Sequence, residues 1–292
     1  MRDFLHMIFK SYEVPADSFW HADAFTIWHA VYAVIIAAAI VGAAFALNRA
    51  SDKTKKRVLD ILPIVVIGLY IFDLFIRPIS GLEMVEGNDF QQSIRGYLDK
   101  LPFHICTSMG VICVFAQHSK KLEKFKGPFV ILSIVGPLMY LVAPMGVFHD
   151  YFPFCYNTIQ TMLFHGVLMA WGILSITTGQ VRVTIKNWYK TLAIQGILFG
   201  WGLFGNIMFS DMTNAQTWYD SGYDWFFIKS GAFYIATGEL WYSIFAPIAV
   251  FIAIYIVAIG VYGCAHLGYF IAGKCKKNKT KVEQKAEDAA IV

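Results

Sequence analysis

Charged side chains are scarce in this chain: Asp, Glu, Lys and Arg together supply 15% of its 292 residues, while hydrophobic residues supply 57% and aromatics 16%. A soluble domain carries about a quarter charged residues, so the balance excludes an ordinary water-soluble fold and points to a membrane protein. Cysteine is also sparse. Five cysteines cannot all pair, so a disulfide framework does not organise the fold, and a Cys106–Cys155 bridge requires the third and fifth spans to touch at their outer ends. No HxxxH or HExxH spacing occurs, which leaves zinc without a recognisable ligand set, and no cofactor or metal is expected. The first long apolar run follows Asp17 and Asp23 without a basic flank, so no cleavable signal peptide is predicted.

A membrane span needs about 20 apolar residues. Seven runs qualify: Phe25 to Leu47, Val58 to Ile79, Leu101 to Gln117, Pro128 to Phe148, Thr158 to Gly179, Thr191 to Ser210 and Leu240 to Ala272. The third is short, and hydropathy alone does not secure it. Charge placement tests the count. Basic clusters occupy Arg49 to Arg57, Lys120 to Lys126, Arg182 to Lys190 and the tail from Lys274 to Lys285. The intervening segments are acidic or near neutral, with Glu83, Glu86, Asp89 and Asp99, then Asp150, then Asp211, Asp220 and Asp224. By the positive-inside rule this alternation predicts an all-α bundle of seven spans with the N-terminus outside and the C-terminus inside. It holds only if the third span is real. The expected division is an outer interfacial segment over 1–23, a transmembrane domain over 24–273 and a basic, disordered tail over 274–292. The expected location is the cell membrane as a multi-pass protein, with membrane lipids as partners and no nucleic acid.

Polar groups inside hydrocarbon need a partner or a task. Leu101 to Val111 opens with Pro102 and places His104, Cys106, Thr107 and Ser108 within two turns. Asp73 and Arg77 on the second span share a face at i, i+4 spacing and fit an ion pair or a head-group anchor. The fifth span brings Asn157, Thr158, Gln160, Thr161 and His165, the sixth ends in Gly205-Asn206, and the seventh begins with Glu239. With the N-terminus outside, all of these lie in the outer halves of their helices. One pocket facing the outer leaflet is the predicted site, with Gln195 the main polar exception deeper in. His29, near the outer end of the first span, reads as a structural hydrogen-bonder. Gly196 and Gly200 have GxxxG spacing for close helix contact, and Pro137 and Pro144 interrupt the fourth span.

Histidines beside Cys, Thr and Ser suggest a nucleophile and a general base. Thr107 and Ser108 share the face of His104, whereas Cys106 needs either His165 from the neighbouring span as its base or an irregular first turn. The stretches Leu101-Pro-Phe-His-Ile-Cys106, Phe164-His-Gly166 and Gly205-Asn206 resemble motifs of the YwaF-like bacterial integral membrane proteins. That family is distantly similar to a eukaryotic transmembrane acyltransferase that remodels ether phospholipids through Cys and His, and to membrane hydrolases of fatty acid esters that use Thr and His. The resemblance implies an embedded acyl-transfer or lipid-hydrolysis site, with His104 and His165 as its best-matched residues; the shared depth of Asp73, Arg77, Gln160, Asn206 and Glu239 makes them the expected substrate-binding residues of that pocket. The acyltransferase motif places its cysteine directly before the histidine, where this chain has Phe103, so the nucleophile stays open between Cys106, Thr107 and none. Ile207 replaces the tyrosine of the third motif. The competing reading is a small-solute transporter or receptor-like binding protein using the same pocket. Against it, no inverted repeat is visible, no lysine sits mid-membrane in the seventh span, and that span has no Asn-Pro-x-x-Tyr motif.

Overall fold

The structure, a computed structural model, describes residues 15, 17–21, 25–81, 101–142, 153–209 and 239–290. Among them every regular element is a helix: α1 (Ile27–Asn48), α2 (Asp52–Gly81), α3 (Ile105–His118), α4 (Lys126–Val142), α5 (Tyr156–Thr177), α6 (Trp188–Met208) and α7 (Glu239–Ala290). Short 3₁₀ turns, Lys120–Phe125 and Ile185–Asn187, lead into α4 and α6. Each helix coincides with one predicted span. Six stretches are long and apolar enough to cross a membrane, and α3 is the exception at 14 residues.

Residue chemistry explains the layout. α1 and α7 carry apolar side chains all round and bury little of their surface, as lipid-facing helices do. α4 is the opposite case, with every residue from Pro128 to Pro137 buried. It packs chiefly on α5, α3 and α7, while α2 packs on α5 and α3. The core therefore lies between α2, α3, α4 and α5, around Leu59, Val66, Met109, Ile131, Leu168 and Trp171. The short α3 sits within it and need not match the lipid thickness on its own.

Polar ties fix the helix ends. Asp60 on α2 accepts from Gln117 Nε2 on α3 at 2.7 Å and from Lys56 Nζ, and Gln117 Oε1 accepts from Trp171 Nε1 on α5 at 3.2 Å. His29 Nε2 donates to the Leu141 carbonyl at 2.6 Å, joining α1 to the end of α4 as its structural reading predicts. Buried Gln195 donates to the Phe251 carbonyl at 2.8 Å and joins α6 to α7.

The structure also differs from sequence expectation in places. Gly196 and Gly200 have nothing within 4 Å of where a Cβ would stand, so this GxxxG face makes no close helix contact among the described residues. Spacing shows that two glycines share a face but not where that face points. The helix of α7 continues through Lys274 to Ala290, across the stretch expected to be a disordered tail; its Lys, Glu, Gln and Ala residues are strong helix formers. Cys106, Cys113, Cys155 and Cys264 are free, and the Cys155 Sγ lies 3.3 Å from Thr158 Oγ1 rather than bonded to Cys106. Residues 1–12, the segment 82–100, Pro144 and the aromatic segment 211–238 lie outside the described residues.

Candidate functional site

Pro102 prevents helix from starting early, and the chain turns through Leu101–Phe103 before α3 begins at Ile105. His104 is the N-cap residue in extended conformation, half-buried, and its side chain does not cap the helix. Hydroxyls pin this turn instead. Thr107 Oγ1 donates to the His104 carbonyl at 3.1 Å, and the Pro102 carbonyl accepts Ser108 Oγ at 2.6 Å and Trp201 Nε1 at 2.8 Å. Both hydroxyl donors are thus committed to backbone. Cys106 is the second residue of the helix, buried, and its thiol is tied to no other residue by a hydrogen bond among the described residues.

Three close approaches at glycines draw the site together. A Cβ at Gly136 on α4 would stand 2.9 Å from Cys106 Sγ and 3.1 Å from Ile105 Cγ2. One at Gly205 on α6 would stand 2.6 Å from the Phe103 ring, and one at Gly110 on α3 would meet the Phe164 ring of α5 at 2.9 Å. The three stretches that carry the sequence resemblance, far apart along the chain, therefore touch: Phe103 of the first lies on Gly205 of the third, and Phe164 of the second lies on the helix the first stretch opens.

His165 is buried on α5, and its Nδ1 lies 2.8 Å from the Thr161 carbonyl. A carbonyl can only accept, so Nδ1 carries the proton and Nε2 presents a lone pair in the neutral ring. The ring stacks on Tyr140 of α4, centroids 3.9 Å apart and planes 4° from parallel, and stands edge-on to Phe164 at 5.2 Å. Gly136, under Cys106, and Tyr140, under His165, are four residues apart on one face of α4, about 6 Å along its axis. Cysteine and histidine from different helices therefore share one strip of a third.

The remaining predicted residues divide between two neighbourhoods. Asn206 is 1% exposed and follows Gly205 at the α3–α6 contact. Asp73 is 3% exposed and accepts from Tyr156 Oη at 3.2 Å. Gln160 reaches the Leu69 carbonyl at 3.4 Å and accepts from Thr161 Oγ1 at 3.3 Å, so Asp73 and Gln160 belong to the α2–α5 seam. The side chains of Arg77, Asn157 and Glu239 lie outside the described residues, and with them the Asp73–Arg77 pair. Sequence reasoning overlooked Tyr140, Tyr156 and Gly136. The tyrosines had a signal, a hydroxyl inside an apolar run, whereas Gly136 had none. No group of three or more His, Cys, Asp or Glu side chains that could hold a metal ion occurs among the described residues.

Comparison with known proteins adds one match. A family model described as the TMEM164 family covers residues 24–259, most of the chain and all the site residues above. Neither a curated protein nor a solved structure matches.

Proposed function

The chain belongs to the TMEM164 family, and from that premise we propose that this multi-pass membrane protein is a lipid acyltransferase or fatty acyl ester hydrolase whose nucleophile is Cys106 and whose base is His165. The observation that carries the reading is the shared α4 strip, with Cys106 on Gly136 and His165 on Tyr140. Cys106 is favoured over Thr107 because the Thr107 hydroxyl already serves the His104 carbonyl.

The chemistry follows from these groups. His165 Nε2 takes the Cys106 thiol proton, and the thiolate attacks the ester carbonyl of a lipid entering sideways between helices. The C–S bond forms as the C–O bond breaks, and the departing alkoxide takes the proton back from His165. A hydroxyl acceptor or water then releases the acyl group by the reverse steps. The first-turn N–H groups of α3 have no partners within the helix and would stabilise the oxyanion. His104 at the mouth and Asp73, Arg77, Gln160, Asn206 and Glu239 complete the proposed substrate surroundings. The YwaF-like motif resemblance supports the same chemistry.

The test is incubation of purified protein in nanodiscs with phospholipid carrying a labelled acyl chain. Wild type and Thr107→Val transfer or release label and form a hydroxylamine-sensitive adduct. Cys106→Ala and His165→Ala lose both, and His104→Ala slows turnover. An unchanged lipid profile in every sample overturns the proposal; a polar solute whose binding disappears in the same variants would assign the pocket to transport or reception instead.

A further inference from the structure

A concavity lies at the opposite end of the bundle from Cys106 and His165. It has a volume of about 240 Å³ and is bounded by the 3₁₀ turn and first residues of α4, the segment joining α5 to α6, and Tyr262 of α7. Its lining carries three cations, Lys124, Lys126 and Arg182, against a single carboxylate, Glu123. None of the three cations forms a salt bridge among the described residues. Lys126 is half-buried, with the Asp60 and Glu123 carboxylates near enough to interact with its ammonium but neither close enough to form a salt bridge with it among the described residues.

The wall is built rather than loose. Gly179, at φ +76°, ends α5 in the left-handed conformation that a Cβ disfavours. The chain then runs extended, with Val181 and Val183 buried in the core and Arg182 and Thr184 turned away from it. Three backbone N–H groups hold it there. Val181 donates to the Ser175 carbonyl at 2.9 Å, Val183 to Tyr269 Oη at 3.3 Å, and Ile185 to His266 Nε2 at 3.1 Å. Across the gap Gly127, which stands 3.8 Å from Val183 by its Cβ position, leaves the start of α4 open. Arg182 presents a fork of donors, Lys124 and Lys126 present point charges, Thr184 and Asn187 add hydrogen-bonding groups, and the α4 N-terminus favours negative charge.

We propose that this cavity binds a phosphate-bearing group, and so is a second ligand site distinct from the proposed reaction centre. Basic clusters from the α1–α2, α3–α4 and α5–α6 connections gather at this end, the level of a lipid head group. The same chemistry would accept a soluble phosphate ester, and the experiment separates these sources.

Full-length protein is placed in phosphatidylcholine nanodiscs with or without phosphatidic acid, and separately titrated with glycerol 3-phosphate and inorganic phosphate, with thermal stability and retained lipid as readouts. Phosphatidic acid or a soluble phosphate raises the unfolding temperature, and the arm that does so identifies the source. Lys126→Gln and Arg182→Gln each weaken binding about fivefold or more, and Gly127→Leu, which fills the cavity without removing charge, does the same. Lys120→Gln with Lys190→Gln, basic residues that do not line the cavity, leaves binding within about twofold. Equal loss in the Lys120 and Lys190 control would reduce the effect to diffuse surface attraction and overturn the site. So would normal binding by Gly127→Leu, or no stabilisation by any phosphate source.

Discussion

At the scale of single residues, glycines decide whether the site can assemble. Gly205 has the Phe103 ring 2.6 Å from its Cβ position, whereas Gly200, five residues earlier on the same helix, has open space. Adding one methyl at each makes a matched comparison. Gly205→Ala forces ring or backbone to move and costs about 1–3 kcal/mol. Gly200→Ala gains helix propensity and leaves stability unchanged or raised by up to about 1 kcal/mol. Thermal unfolding in detergent checks both, and equal shifts would mean that the Phe103 contact does not close the α3–α6 seam. Tyr140 makes a second residue-level case. Tyr140→Leu keeps an apolar filler but removes the ring on which His165 lies, a stacking worth about 0.5–1.5 kcal/mol. Under the proposed chemistry it lowers turnover with little change in lipid binding, because it displaces the base and not the substrate; an unaltered rate would remove Tyr140 as a positioning residue.

Legibility in the sequence splits along the same line. Polar residues in apolar runs, His104, Cys106, His165, Asp73 and Asn206, stand out because hydrocarbon penalises them wherever they sit. What they meet is not readable, since contact depends on how each helix is rotated. The Tyr140–His165 stack joins residues of adjacent helices that no period links. The tautomer of His165 follows from a carbonyl one turn back, but only once the ring is seen to point there. The GxxxG pair shows the reverse case, a recognised pattern on a face with no neighbour.

At the scale of helices, length and hydropathy were enough to find the six long ones; most boundaries moved by a few residues, while α7 ran on through the charged tail. α3 was legible only through the charges on either side of it. Fourteen residues rise roughly 21 Å, short of a typical 30 Å hydrocarbon core, and a helix can be this short when other helices surround it. Gln117 near its end holds it in register with α2 and α5. Gln117→Leu strands the fully buried Trp171 indole N–H and removes a donor from Asp60, so stability falls by about 1–3 kcal/mol. Thermal unfolding reads this directly. A shift no larger than that of an exposed-site control such as Lys53→Ala, expected within about 0.5 kcal/mol, would show that the Asp60–Gln117–Trp171 chain does not bind the three helices.

For the molecule as a whole, the question is whether α3 crosses the bilayer, because the assignment of every later segment to one side or the other depends on it. Gln117 and His118, at the end of α3, reach the side chain and carbonyl of Asp60 near the start of α2, and Phe164, which lies on Gly110, is 6.3 Å from Tyr70 further along α2. The two helices therefore run antiparallel through the same depth, with the 14 residues from Ile105 to His118 beside a similar length of α2. A re-entrant α3 that turned back midway would not bring its end to Asp60. Seven crossings with the C-terminus inside require Lys53, Lys120 and Lys190 to share one aqueous side. Single cysteines at these positions, labelled by a membrane-impermeant thiol reagent above the wild-type background, are expected to react only from the cytoplasmic face. Lys53→Cys and Lys120→Cys reacting from opposite faces would place α3 as a non-crossing element and invert α4 to α7. That outcome is incompatible with the Asp60–Gln117 contact and would part Cys106, which follows the outer end of α2, from Gly136 on the inverted α4, so it would overturn the cysteine–histidine strip as well.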